Sequence, residues 1–267
     1  MHVDTSSEYW HRAGSLVVTD PTGARDAELP PEVRVYMVAG AQHVPAQRPS
    51  ERGQQALNPN DYRPVLQALF LAMDRWVSDG VEPPASAYPT IAGGALARPD
   101  PGGSGWQPLP DVTFPAVLNQ PEQLDFGEAF AEERRIDQQP PGRTGNFYGV
   151  RAPGFGADNN ERGGVQLPRT AAPVATYTGW NLRSQAIGAP TELLHLAGSR
   201  IPFGATLDAR QAGDPRQALS ERYSSFDDYR NQYLAVAQDL IDQGYLLAEH
   251  LPAIEAVANQ YRSLFEQ

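Results

Sequence analysis

The sequence predicts an α/β fold, and a buried strand followed by a long helix carries that prediction. The run Val33–Val38 is almost continuously apolar and lies between two prolines and Gly40. Such a run is typical of a strand that is covered on both faces of a sheet. A helix is predicted from Asp61 to Asp79. Strand, short loop and helix in succession are typical of α/β proteins.

The predicted helix is defined by its two ends and by its apolar spacing. We expect Asn60 to cap the helix and Gly80 to end it. Apolar residues recur at helical periodicity, which predicts one buried face. These apolar positions are Val65, Leu66, Leu69, Phe70, Met73, Trp76 and Val77.

The remainder of the chain is rich in turns until its C-terminal end. The whole sequence holds 25 prolines and 24 glycines, and their clustering between Pro83 and Pro121 predicts an extended connection. The predicted elements beyond it are short strands at Phe147–Val150, Val165–Leu167 and Val174–Tyr177, a helix capped by Ser224 or Ser225, and a final helix that begins near Pro252.

The composition excludes several kinds of chemistry and of partner. The chain has no cysteine and no lysine, so we expect no disulfide, thiolate metal site, cysteine nucleophile or Schiff base. The net charge of −11 argues against binding to nucleic acid. No apolar run approaches the roughly 20 residues of a membrane span. No basic-then-apolar leader opens the sequence, so we expect no signal peptide.

His43 is the first candidate for a catalytic side chain. It lies five residues after the predicted strand, where a loop leaves the sheet. Functional groups gather at the carboxyl ends of strands in open α/β sheets, and a histidine there can act as a general base. The alternative is a loop histidine that hydrogen-bonds its own backbone.

Glu8 is the candidate acid, because a carboxylate on a neighbouring strand end can orient an imidazole. It lies in the segment Asp4–Trp10 and precedes His43 by 35 residues. The alternative is a structural one, in which Ser6 or Ser7 caps a helix and Glu8 occupies its first turn.

Several longer blocks of the sequence resemble a bacterial family of α/β-hydrolase domain proteins. The resemblance extends over nearly the whole chain. The blocks that carry it are Ser6–Trp10, Ala13–Leu16, Thr19–Pro21, Val33–Tyr36, Gly40–His43, Asn58–Asn60, Trp76–Val77, Pro83–Pro84, Tyr88–Pro89, Pro173–Arg183, Gly213–Arg216 and Ser220–Tyr223.

The resemblance implies that His43 is the histidine of a Ser-acid-His triad and that Glu8 is its acid, with Asp4 and Asp20 as rivals. It implies no cofactor and no metal. The family takes its nucleophile from a Gly-x-Ser-x-Gly turn, which this sequence lacks. Ser104 comes nearest, but Trp106 replaces the last glycine and the segment follows His43 in the chain.

The expected fold is therefore the C-terminal portion of an α/β-hydrolase sheet, followed by a loop-rich segment and a helical end. The expected divisions are 1–82 for the hydrolase portion, 83–121 for the connection, 122–216 for the loop-rich region and 217–267 for the helices. If the chain is a fragment of a longer hydrolase, the strand Val33–Val38 lacks neighbouring strands, and we expect it to have an exposed edge.

The expected function follows from the same resemblance. The ancestral chemistry is hydrolysis of a small ester. A chain that keeps the acid and the histidine without the serine is expected to be inactive alone. It would act on an ester when an N-terminal part completes it. The alternative is a non-catalytic binding module, in which acidic turns and the region of Trp180 bind a carbohydrate or a protein.

Two further motifs have structural interpretations. The turn Asp158–Glu161 groups oxygen ligands, but its spacing is not that of an EF-hand. A hairpin turn with side-chain to backbone bonds is the simpler interpretation. Asp214 and Arg216 predict a buried ion pair that fixes the C-terminal helices.

Overall fold

The computed structural model of the protein describes residues 1–45 and 51–266. Its strands are β1 His2–Thr5, β2 Val35–Val38, β3 Ala56–Leu57, β4 Leu96–Ala97, β5 Glu122–Asp125, β6 Gly142–Phe147, β7 Ala152–Pro153, β8 Ala175–Tyr177 and β9 Ser199–Pro202. Its α-helices are α1 Ser6–His11, α2 Arg63–Asp79, α3 Pro101–Ser104, α4 Glu128–Glu133, α5 Pro168–Ala171, α6 Leu219–Arg222, α7 Phe226–Asp242 and α8 Leu251–Asn259.

Strands β1 and β2 run parallel, with His2 opposite Val35 and Thr5 opposite Val38. All four residues of β2 are buried, as the apolar run predicts. Two further segments cover the other edge of β2, because Met37 donates to the carbonyl of Ala87 and accepts from the amide of Val165. The expectation of an exposed edge on this strand is therefore wrong.

The long helix is confirmed, but its start and its exposed face differ from the prediction. Helix α2 begins at Arg63, and Tyr62 rather than Asn60 is the residue before its first turn. Asn60 is buried and donates its side-chain amide to the carbonyl of Gly40, 2.6 Å away. Phe70 and Val77 are largely exposed, so they do not belong to the buried face.

The C-terminal helices α7 and α8 pack against each other, and α7 also packs against the short helix α5. Ser225 caps α7, where its hydroxyl oxygen accepts from the amide of Asp228. Tyr223, Phe226, Tyr229 and Phe265 form an aromatic cluster in this region. Among the helices of the described residues, none is both long and apolar enough to cross a membrane.

The middle of the chain departs most from the predicted elements. A strand is expected at Phe147–Val150, but β6 runs from Gly142 to Phe147 and shares only Phe147 with that range. Val165–Leu167 is not a strand, since only Val165 bridges to β2. The antiparallel set β3-β9-β8 forms a second sheet.

The predicted ion pair between Asp214 and Arg216 is present and buried, at 2.7 Å. It fixes strands rather than the C-terminal helices. Arg216 donates to Thr176 of β8 and to the carbonyls of Ile201 and Pro202 in β9.

Candidate active site

The carboxylate of Glu8 contacts the imidazole of His43 at the carboxyl ends of β1 and β2. Glu8 Oε1 lies 2.5 Å from His43 Nδ1. Glu8 stands in the first turn of α1, which follows β1 directly, and His43 stands on the loop that follows β2. Because the two strands are parallel neighbours, both side chains reach the same edge of the sheet.

The local structure of α1 fixes the second oxygen of Glu8. The amide of Thr5 donates to Glu8 Oε2 at 2.7 Å, and the hydroxyl of Thr5 donates to the same oxygen at 2.6 Å. Glu8 therefore stabilises the helix start and also contacts His43. Glu8 can therefore have both the structural role and the catalytic role that the sequence suggested. The capping residue is Thr5, not Ser6 or Ser7.

The loop that carries His43 is held by hydrogen bonds along its length. Gly40 adopts a φ of +56°, and a Cβ there would lie 3.0 Å from the carbonyl oxygen of Tyr177. The carbonyl of Gly40 accepts from Asn58 and Asn60, and Gln42 accepts from the amide of Gly198. The loop thus approaches its neighbours too closely for a larger residue at position 40.

Tyr62 holds the backbone of His43 itself, because its hydroxyl donates to the carbonyl of His43. Burial and the negative charges of Glu8 and Asp61 raise the pKa of Tyr62 to about 12. The phenol therefore stays neutral and keeps its proton to donate. The side chain of His43 is 51% exposed while that of Glu8 is 15% exposed, so the imidazole faces solvent and its acid does not.

A fully buried carboxylate, Glu161, connects the two segments that carry the candidate pair. It accepts hydrogen bonds from Ser6 and Trp10 of α1 and from the amide of Gly40, which lies 2.9 Å from Glu161 Oε2. The amide of Gly179 is a fourth, longer donor at 3.4 Å. Burial raises the pKa of Glu161, and the four donors act in the opposite direction.

Sequence reasoning missed Glu161, because it assigned Asp158–Glu161 no role beyond that of a hairpin turn. The hairpin is present, with Phe155 bridged to Glu161 and the amide of Asn160 donating to Asp158. Asn159, Asn160 and Glu161 are buried, and the side-chain amide of Asn160 donates to Ala175 of β8. Within residues 1–45 and 51–266, no three histidine, aspartate or glutamate side chains are grouped as a metal site requires.

The rival acids have other partners. Asp4 contacts His2 Nε2 at 2.8 Å, and burial raises the pKa of its carboxyl group. Asp20 accepts from Thr22 and from the amides of Ala24 and Arg25, which stabilises a turn. Neither carboxylate contacts His43.

The serine considered as a substitute nucleophile does not reach the pair. Ser104 is fully buried, and its hydroxyl oxygen accepts from the amide of Trp106. In the part of the chain that the structure describes, no hydroxyl side chain hydrogen-bonds the ring of His43. Trp180 is also buried, in a cluster with Trp10 and Trp106, so it offers no exposed ring to a carbohydrate.

The parallel strands β1 and β2 and the helix after β2 define a protein of the α/β class, and a carboxylate–imidazole pair lies at the ends of these strands. The sequence model of the family described as "Alpha/beta hydrolase domain" matches residues 1–256. The chain belongs to this alpha/beta hydrolase domain family. No curated protein and no solved structure gave a significant match.

Proposed function

We propose that Glu8 and His43 are the acid and the base of a site for ester hydrolysis. The contact between Glu8 Oε1 and His43 Nδ1 is the observation that carries this proposal. Membership of the alpha/beta hydrolase domain family supports it, since the family's general chemistry uses such a pair to activate a nucleophile.

The geometry assigns a separate task to each side chain. When Nδ1 carries the ring proton, it donates to Glu8, and Nε2 is left with a lone pair that can accept a proton from a nucleophile. As His43 becomes positively charged, the adjacent carboxylate stabilises that charge. Glu8 is fixed by Thr5 and the loop of His43 is fixed by Asn58 and Asn60, so little reorganisation is needed.

Within these 267 residues the pair lacks a nucleophile, and we infer that they do not hydrolyse esters unaided. The sequence contains no Gly-x-Ser-x-Gly turn, and that turn also provides part of the oxyanion hole. Removing the serine of a serine protease lowers kcat about 10⁶-fold. The nucleophile would come from polypeptide outside the 267 residues, and the substrate would be a small ester.

The first test is an assay of aryl acetate hydrolysis by the purified chain. We expect a rate no higher than that of free imidazole at the same concentration, and we expect His43→Ala to leave it unchanged. A saturable activity that a serine reagent abolishes would contradict this inference, and Ser104 would then be the residue to replace first.

The second test adds a nucleophile. If the DNA upstream of Met1 encodes a Gly-x-Ser-x-Gly segment, the extended protein should gain saturable esterase activity. His43→Ala should abolish that activity, whereas replacement of an exposed histidine outside the pair, His195→Ala, should preserve it. An active extended protein that is indifferent to His43→Ala would contradict the assigned roles.

A further inference from the structure

A cavity of about 280 Å³ lies among helices α2, α5, α7 and α8, apart from the contact between Glu8 and His43. Ligand cavities in proteins measure roughly 300–1,000 Å³, so this one suits a small molecule. Leu167, Ile254 and Val257 provide apolar walls, and Arg63 and Arg169 provide positive charge.

Arg169 forms no ion pair with a carboxylate of the described residues. It donates from Nη1 to the carbonyl of Pro59 at 2.5 Å, and its Cζ lies 5.8 Å from the ring centre of Tyr261. The carboxylate that lines the cavity, Asp61, pairs with Arg63 instead. Two guanidinium groups therefore face one carboxylate, although the chain as a whole carries a net charge of −11.

Two residues that line the cavity each carry a buried polar atom without a protein partner among the described residues. These atoms are Arg169 Nε and Asn60 Oδ1. Asn60 is fully buried, and both residues line the cavity. Buried polar atoms are nearly always hydrogen-bonded in folded proteins, so the unpartnered donor Arg169 Nε–H points to a ligand that carries a hydrogen-bond acceptor.

We propose that the cavity binds a small monocarboxylate whose apolar body lies against Leu167, Ile254 and Val257. The carboxylate faces Arg169, whose planar guanidinium suits a group with two oxygens. Inorganic phosphate has the charge but not the apolar body, so the apolar walls favour the organic acid. The proposal does not depend on ester hydrolysis.

Calorimetric titration of the full chain with octanoate tests the proposal. We expect saturable binding at one site, and we expect 1-octanol and inorganic phosphate to bind at least about tenfold more weakly. Arg169→Gln should weaken octanoate binding by about tenfold or more, since it removes a charged hydrogen-bond donor. Arg25→Gln is the control, because it changes the net charge equally at a side chain that is 84% exposed.

A second variant keeps the test decisive if Arg169→Gln does not fold. Ala253 is an exposed residue of α8 that lines the cavity, so Ala253→Trp should fill the space and abolish octanoate binding without a loss of folding. The proposal is overturned if octanoate does not bind the wild-type chain saturably. It is also overturned if octanol or phosphate binds equally well, or if both cavity variants bind octanoate like the wild type.

Discussion

The carboxylates at the end of the β1–β2 sheet and the guanidinium of Arg169 at the helix cavity are satisfied by hydrogen bonds to different degrees. At the sheet end, Glu8 and Glu161 accept hydrogen bonds on both of their oxygens. In the cavity, Arg169 Nε and Asn60 Oδ1 have no partner among the described residues. A hydrogen-bond network whose members all have partners holds its side chains in place. A buried donor without a partner, such as Arg169 Nε–H, can instead hydrogen-bond a ligand.

Asn60 connects the two regions, since its amide nitrogen donates to Gly40 while its oxygen is unpartnered at the cavity. The loop of His43 is thus fixed in part by a residue of the cavity wall. Because the two regions differ in this way, substitutions at the sheet end should cost stability, and an equivalent substitution in the cavity should cost little.

The largest effect is expected at Glu161. Glu161→Gln keeps the size of the side chain but turns an amide nitrogen toward donors on α1 and Gly40. We expect a loss of about 4 kcal/mol in the free energy of unfolding, measured by urea denaturation. Glu132→Gln, at an exposed position of α4, should change it by less than about 0.5 kcal/mol. Equal effects of the two variants would show that the Glu161 network does not hold the site.

The next effect is a pH dependence that arises at His11 of α1. Burial lowers the pKa of His11 to about 4, below its ordinary value of about 6.5. As the pH falls, the unfolded chain therefore binds a proton at His11 before the folded chain does. The stability that neutral His11 contributes is complete above about pH 6.5 and is lost as the pH falls from there through about 4.

The loss assigned to His11 is about 3 kcal/mol over that range. Urea denaturation of the wild type and of His11→Gln at neutral pH and near pH 4 isolates it, because the other titrating groups are common to both proteins. An identical pH dependence in the two proteins would show that His11 is not buried in its neutral form.

A smaller effect is expected at Tyr62. Tyr62→Phe removes the hydroxyl that donates to the carbonyl of His43, and the net value of one such hydrogen bond is about 1 kcal/mol. Denaturation should show that loss, and amide chemical shifts should change in the loop 40–45. Tyr148→Phe, in the segment after β6, is the comparison. Unchanged shifts in the loop would mean that Tyr62 does not hold it.

The smallest effect is expected at Arg169. Because Arg169 donates to the carbonyl of Pro59 and forms no ion pair with the described residues, Arg169→Gln should change the stability of the unliganded chain by less than about 1 kcal/mol. Arg216→Gln should cost about 4 kcal/mol, since Arg216 is buried in an ion pair and bonds three further oxygens. Similar losses at the two arginines would show that Arg169 is held as firmly as an arginine in a buried ion pair.

The sequence predicted the elements whose signals are local. The apolar run of β2 and the periodicity of α2 come from neighbouring residues, so the strand and the long helix could be predicted. The pairing of Glu8 with His43 depended on the resemblance to the hydrolase family. Asn60 was misassigned as a helix cap because its partner, Gly40, belongs to a different segment.

Contacts between distant parts of the chain were beyond sequence reasoning. Glu161 is separated by 155 residues from Ser6 and by 121 residues from Gly40. Nothing in the turn Asp158–Glu161 indicates that its last residue is buried. Phe70 and Val77 fit the apolar periodicity of α2 and yet lie exposed, because periodicity cannot say which positions a neighbouring segment covers.

The tautomer of His43 tests the central claim most directly. If the carboxylate of Glu8 orients the imidazole, neutral His43 carries its proton on Nδ1, and nitrogen-15 NMR of the ring should show this state in the wild type. Glu8→Ala should shift the population toward the Nε2–H tautomer, because the acceptor for Nδ1–H is gone. A wild-type His43 that is already in the Nε2–H tautomer, or one that Glu8→Ala leaves unchanged, would contradict the account.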